Sequence, residues 1–440
     1  MTSIIKVDNL QNQCGANIIS ESANVITIGA SGDTVTLAAG ASQSGFGRSG
    51  SVNWDTTKKT TGFTSVSGNG YFCDTTSSAF TVTLPATPSA GDIVAIADYA
   101  NTSATNNITV GRNGSNIDGE AFDAKIRVNG QVYTLVYVDA TEGWKTVNQT
   151  FNQISTAEFV AATGGCIVTS GDFKIHTFTG PGTFTVTNVG NPNGSTTVDY
   201  LVVAAGGGGT IGSAGAGGAG GFRQSFPNPA TAGFPITAQA YPITVGSGGT
   251  AGANNTTSGG SGNPSIFSTI TSAGGGGGGK ICGPGPAIQG LSGGSGGGTG
   301  GNNNQPSKVG GGAGNTPPVA PPQGNNGGNG SACGPSYGGG GGGGASAVGV
   351  NATGPTGGNG GAGSATLISG SSVTYAGGGG GGSYTAVGTG GAGGGGNGAT
   401  QFGTAQSGTV NTGGGGGSTG PSGTAGTGGS GIVIIRYKYQ

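Results

Sequence analysis

Beyond Asp199 the sequence contains neither aspartate nor glutamate, and all fifteen of its carboxylates fall between Asp8 and Asp199. Glycosidase-type acid–base chemistry needs two carboxylates flanking the scissile bond, so the C-terminal half cannot perform it. Cations are scarce there too, with only Arg223, Lys280, Lys308, Arg436 and Lys438. Nucleic-acid binding needs clustered Lys and Arg that release counterions from phosphates, and five scattered charges exclude it as a partner. The net charge is −6 over the first 200 residues and +5 over the remainder. The chain therefore has two unlike halves.

Other absences narrow the reading further. His176 is the only histidine, and with no serine elbow nearby it builds no triad, so a structural role is expected. Cys14, Cys73, Cys166, Cys282 and Cys333 contain no C-x-x-C and no histidine spacing, which excludes a zinc or redox motif and leaves free thiols. Cys282 and Cys333 bracket a long segment that a disulfide would staple under oxidising conditions. No cofactor is implied. No apolar run approaches the roughly 18 residues of a membrane span, the longest being short pieces such as residues 200–205. The opening Met1-Thr-Ser-Ile-Ile-Lys-Val-Asp8 has neither a basic n-region nor an apolar h-region, so synthesis in a cytoplasm without a cleaved signal is expected.

What the sequence has in excess is glycine. It accounts for 108 of 440 residues, with 23 in the first 200 and 85 thereafter. Solid runs occupy 206–209, 274–279, 338–344, 377–382, 393–396 and 413–417, a pattern that excludes the every-third-residue spacing of collagen. Ordering each backbone unit costs roughly 1–2 kcal/mol, and glycine has no side chain to bury in return. Such runs either stay disordered or pack as polyproline-II-like rods of three residues per turn, whose outward N–H and C=O groups bond to neighbouring rods. Strand-like pieces interleaved at 240–245, 265–270 and 365–368, and the near absence of solvating charge, favour the bundle.

The organisation that follows is all-β. Residues 1–48 hold two short β-favouring runs, 25–28 and 34–37, and read as an attachment or shaft segment. Residues 49–150 read as a β-domain with strands at 80–84, 92–97, 107–110, 124–128 and 131–137, and Asn129-Gly130 signals a hairpin turn between the last two. A weak helical period occurs only near 156–162. Residues 151–440 read as a glycine-rich domain whose strands at 173–178, 184–186 and 198–204 are adjacent and antiparallel. The strand at 431–438 is expected to return beside 200–204 and close the domain around its glycine-rich insertion.

Motifs with possible chemistry are few. Residues 274–279 followed by Lys280 match G-x-x-x-x-G-K, but Ile281 stands where a magnesium-binding Ser or Thr belongs and no βα unit surrounds it. Asp118, Glu120 and Asp123 are close enough to ligate calcium or act on a sugar, yet read better as a solvated loop in which Asp118-Gly119 turns. Long segments between glycine runs, 281–337 above all, read as loops on a rigid scaffold, where recognition is usually placed. Their aromatics Tyr337, Tyr375, Tyr384 and Phe402, with the amides of Asn302 and Asn303, suit stacking on sugars or contact with a surface protein; caps on rod ends explain the aromatics equally well.

Two stretches carry a resemblance. Gly180-Pro-Gly-Thr-Phe-Thr-Val186, Val198-Asp-Tyr-Leu-Val-Val-Ala-Ala205 running into glycine, Ala219-Gly-Gly-Phe-Arg223, Tyr241-Pro-Ile-Thr-Val-Gly246 and the ending Gly428-Gly-Ser-Gly-Ile-Val-Ile-Ile-Arg-Tyr437 together resemble the glycine-rich domain of bacteriophage tail-fibre adhesins. Thr81-Val-Thr-Leu-Pro85 to Gly91-Asp-Ile-Val94, with Asn113-Gly114 and Gly143-Trp-Lys145, resembles a β-domain of marine phage fibres. The resemblance implies polyglycine II helices and a virion tail fibre fixed through its N-terminal segment to other tail proteins. It further implies a homotrimer and non-catalytic attachment to a host surface protein or polysaccharide through distal loops. The alternative is a purely structural fibre or decoration protein.

Overall fold

The computed structural model describes residues 9–11, 17–22 and 25–28 by their backbone, and 52–147, 157–226, 233–280, 289–301, 310–331 and 337–440 with side chains. These residues form strands and turns and no helix, so the protein is all-β. The weak helical period near 156–162 ends in the strand Val160–Thr163. Two compact units divide the chain: Met1–Ala121 with Ile126–Phe151, and Phe122–Lys125 with Asn152–Gln440.

The first unit opens with an antiparallel sheet of Asn9–Gln11, Asn17–Ser22 and Val25–Ile28. The expected run at 34–37 lies outside the described residues. From residue 53 the chain coils between two sheets. Asn53–Lys59, Asn69–Cys73 and Ile93–Asp98 run parallel in one, and Phe63–Thr64, Phe80–Thr83 and Ile108–Gly111 run parallel in the other. Ile93–Asp98 is buried along its whole length, which explains its unbroken run of apolar residues. The Asn129-Gly130 signal does not make a hairpin. Val132–Asp139 pairs instead with Ile93–Asp98 and Gly143–Thr146, because Ala124–Ile126 belongs to the other sheet, beside Ile108–Gly111.

In the second unit a β-sandwich anchors the glycine-rich runs. One sheet orders Val160–Thr163, Gly182–Val189, Ala240–Thr244, Ser265–Phe267 and Ile270–Ser272. The other orders Cys166–Ser170, Phe173–Phe178, Ile432–Lys438, Thr197–Val203 and Phe222–Gln224. The C-terminal strand does pair beside Thr197–Val203, with Tyr200 opposite Ile435. It is no edge strand, however: Phe173–Phe178 flanks its other side. The expected adjacency of 173–178, 184–186 and 198–204 fails: the Gly180-Pro-Gly182 turn carries the chain to the other sheet, and Ile432–Lys438 separates Phe173–Phe178 from Thr197–Val203. Between the sheets lie Phe184, Phe267, Val202, Val433 and Ile435, and behind the second sheet Leu201 and Ile434 pack against Ile368 and Tyr375.

From the sandwich the chain repeatedly runs out and back as extended segments without assigned helix or strand. No polyglycine II helix is delineated as an element, but the hydrogen bonds repeat every third residue. The N–H groups of Ala204 and Gly207 donate to Gly221 and Gly218, those of Ala205 and Gly208 to Asn263 and Gly260, and those of Gly206 and Gly209 to Gly429 and Gly426. One segment thus addresses three neighbours in rotation. A backbone with three residues per turn produces this pattern, and it satisfies polar groups that burial would otherwise strand. Where an outer neighbour is missing, asparagine carboxamides substitute: Asn326 and Asn329 accept from the N–H groups of Gly314 and Gly311, three residues apart.

Candidate functional site

Because outgoing and returning segments alternate, their connections gather at two ends. One end is the sandwich; at the other, the connections among the described residues are turns. Described turns at this free end occupy 210–213, 253–258, 353–356, 383–387, 400–403 and 420–423. Backbone hydrogen bonds join them into one surface. Gly338 bridges Ser383, the Ser383 and Gly420 N–H groups both reach the Ala399 carbonyl, and the Gly212 and Ser213 N–H groups reach Thr419.

Three of the six candidate residues belong to this end. Phe402, 73% exposed, sits in the left-handed region at φ 66°, and its N–H donates to the Pro421 carbonyl. Tyr384 and Tyr337 are half-buried, in the 383–387 turn and at the start of a returning segment. Tyr375 is corrected: it lies at the opposite end on the strand Val373–Tyr375, is only 5% exposed, and packs in the core with Ile368 and Leu201. Burial pushes its phenol above the ordinary tyrosine range, and a ring enclosed in this way cannot stack on an external ligand. Asn302 and Asn303 lie outside the described residues, as do Cys282 and Cys333.

The segment 281–337 is not one loop. Its described parts, 289–301 and 310–331, run through the bundle, with Gly296, Gly298 and Gly327 hydrogen-bonded to neighbouring segments. Residues 316–322, rich in proline, join two such runs. The G-x-x-x-x-G-K match is likewise absorbed: the Gly275, Gly276, Gly278 and Gly279 N–H groups all donate to other segments, leaving no cradle for phosphate.

The remaining chemical candidates are accounted for structurally. His176 is fully buried in the sandwich, its Nδ1–H donating to the Gly164 carbonyl at 2.7 Å and its Nε2 accepting from the Tyr437 hydroxyl at 3.0 Å. Burial holds its pKa below the ordinary histidine value. Asp118 and Gly119, at φ 52° and 84°, form the expected turn. The Asp118 carboxylate accepts from Thr146 Oγ1 and lies 3.5 Å from Lys145 Nζ. Among the described residues no cluster of His, Cys, Asp or Glu could hold a metal ion, and no helix is long and apolar enough to cross a membrane.

A family profile described as a glycine-rich domain matches residues 177–438, more than half of the chain. The chain belongs to the glycine-rich domain family. Its glycine-rich domain therefore begins within the strand Phe173–Phe178 and ends within Ile432–Lys438, the two neighbours whose pairing closes the unit. A search of curated proteins returned no match. Sequence reasoning missed the turns around Ile211, Asn254 and Ser422, which the glycine-rich domain brings together at its free end. Their signal was present as short breaks in glycine-rich sequence, but which breaks share an end depends on counting every run's direction.

Proposed function

We propose that the protein is a bacteriophage tail-fibre component that attaches the virion to a host cell through the free end of its glycine-rich domain, without catalysis. The observation that carries this reading is the single surface formed at that end by turns from separate returns. It lacks carboxylates throughout, is held rigidly by backbone hydrogen bonds, and displays Phe402 with hydroxyl and amide groups. Rigid scaffolds with exposed turns are where recognition is commonly built. In this reading the N-terminal segment joins other tail proteins, three copies assemble, the N-terminal β-unit is a spacer, and the partner is a cell-surface protein or polysaccharide. The test is competition: purified full-length chain, added to candidate bacteria, should block adsorption of the parent phage. A folded chain that neither binds cells nor competes would support the alternative of a structural fibre or decoration protein.

A further inference from the structure

At the free end, the turns 210–213, 253–258 and 420–423 enclose an open cleft of about 350 Å³. This volume lies near the lower bound of sites that hold small molecules, which are usually preformed and combine apolar walls with few polar groups. Ile211 and Pro421 supply apolar surface, and Asn254, Asn255 and Ser422 supply amides and a hydroxyl. None of the lining residues ionises, so the cleft offers no charge-assisted bond for a phosphate, carboxylate or ammonium group.

The walls are fixed before any ligand arrives. Gly212 N–H donates to Thr419, Gly252 N–H to Gly209 and Phe402 N–H to Pro421, tying each turn to the bundle or to its neighbour. Asn254 Oδ1 accepts from the Thr256 N–H at 2.9 Å and from Thr256 Oγ1 at 2.6 Å, which locks its carboxamide and leaves its NH₂ as donor. Ser422 is held at φ 63°. The exposed Phe402 belongs to the turn bonded to the Pro421 wall. Uncharged donors and acceptors, a small apolar floor and a neighbouring aromatic match a ring that is hydroxylated at its edge and apolar on its face.

From this geometry we infer that the cleft binds a neutral saccharide unit, a hexose or N-acetylhexosamine within a larger glycan. The inference rests on the attachment reading and narrows its partner from any surface molecule to an uncharged glycan. The test uses full-length chain on an array of neutral and charged glycans, beside binding to adsorbing cells. The variants are Asn255→Ala, which removes an exposed amide, and Ser422→Gly, which deletes the hydroxyl while glycine accepts the left-handed backbone. Thr427→Ala, on the side of the bundle, is the control, and thermal unfolding confirms that each variant folds. Neutral glycans should be retained, with affinity falling at least tenfold in both cleft variants and unchanged in the control. Retention of charged glycans alone, of none, or of neutral glycans at full strength by both variants overturns the inference. If the chain then still binds cells, the attachment reading survives with a protein or charged-glycan receptor; if it binds no cells, that reading falls as well.

Discussion

At the scale of single residues, glycine acts here by what it omits. A Cβ at Gly341 would fall onto the Asn359 carbonyl oxygen, and one at Gly379 onto that of Gly416, both backbone atoms that cannot swing aside. Gly341→Val and Gly379→Val should each destabilise the glycine-rich domain by roughly 1–3 kcal/mol or more. Gly180→Ala, which meets nothing within 4 Å, should stay within about 1 kcal/mol of wild type in the same thermal unfolding series. The described cysteines should separate by reactivity. Burial pushes the Cys73 thiol up to about 12, whereas Cys166 is exposed, so mass-mapped alkylation of the native chain should modify Cys166 and spare Cys73 until denaturant is added. His176 should make stability pH-dependent. Its folded-state pKa is depressed by burial, so as pH falls below the ordinary histidine value the unfolded chain takes up the proton first. The contribution is complete above that value and is lost between it and the lower folded-state pKa. Denaturant midpoints from pH 8 to pH 5 should fall for wild type and less so for His176→Gln; identical profiles would refute the assignment.

Among elements, the last strand has the most to lose. Ile432–Lys438 lies between Phe173–Phe178 and Thr197–Val203, and its Val433, Ile434, Ile435 and Tyr437 are almost wholly buried, packing into both hydrophobic clusters. Ending the chain at Gly431 should strip one hydrogen-bonded neighbour each from Phe173–Phe178 and Thr197–Val203 and prevent the sandwich from closing. Circular dichroism and limited proteolysis should then show the glycine-rich domain degraded to small fragments; a protease-resistant domain would show that closure is dispensable. This strand was legible in the sequence because five apolar residues in seven, with no glycine, stand out after a long glycine-rich stretch. The Asn129-Gly130 hairpin and the pairing of 173–178 with 184–186 were misread for a common reason. A turn motif states that the chain reverses, and says nothing about whether the next strand stays in the same sheet or crosses to the other.

Over the whole molecule, the alternation of outgoing and returning segments sorts side chains by end, whatever their separation in sequence. Ile211 and Ser422 line one cleft although they are 211 positions apart, while Tyr375 and Tyr384, nine apart, lie at opposite ends. This sorting changes which exchange is informative for attachment. Much of 281–337 threads the bundle, so replacing it would disturb packing, whereas 383–387 and 400–403 are turns confined to the free end. Under the proposed attachment role, exchange of those two turns with the corresponding turns of a related glycine-rich domain should shift host range in adsorption assays while leaving thermal unfolding within a few degrees. Unchanged host range across both exchanges would argue for the alternative of a purely structural fibre or decoration protein.

The sequence by itself determined that the chain is all-β, that its second half runs without carboxylates, and that backbone groups must do there what side chains do elsewhere. These follow from composition and local pattern, since a run of glycines has nothing to bury and must find partners for its N–H and C=O groups. Only the tertiary structure decided which run lies beside which, that Tyr375 faces a core, and that turns near residues 211, 254 and 422 meet around a cleft. Identical glycine segments carry no address in their side chains, so their neighbours are set by segment length, direction and the sandwich that anchors one end of the bundle.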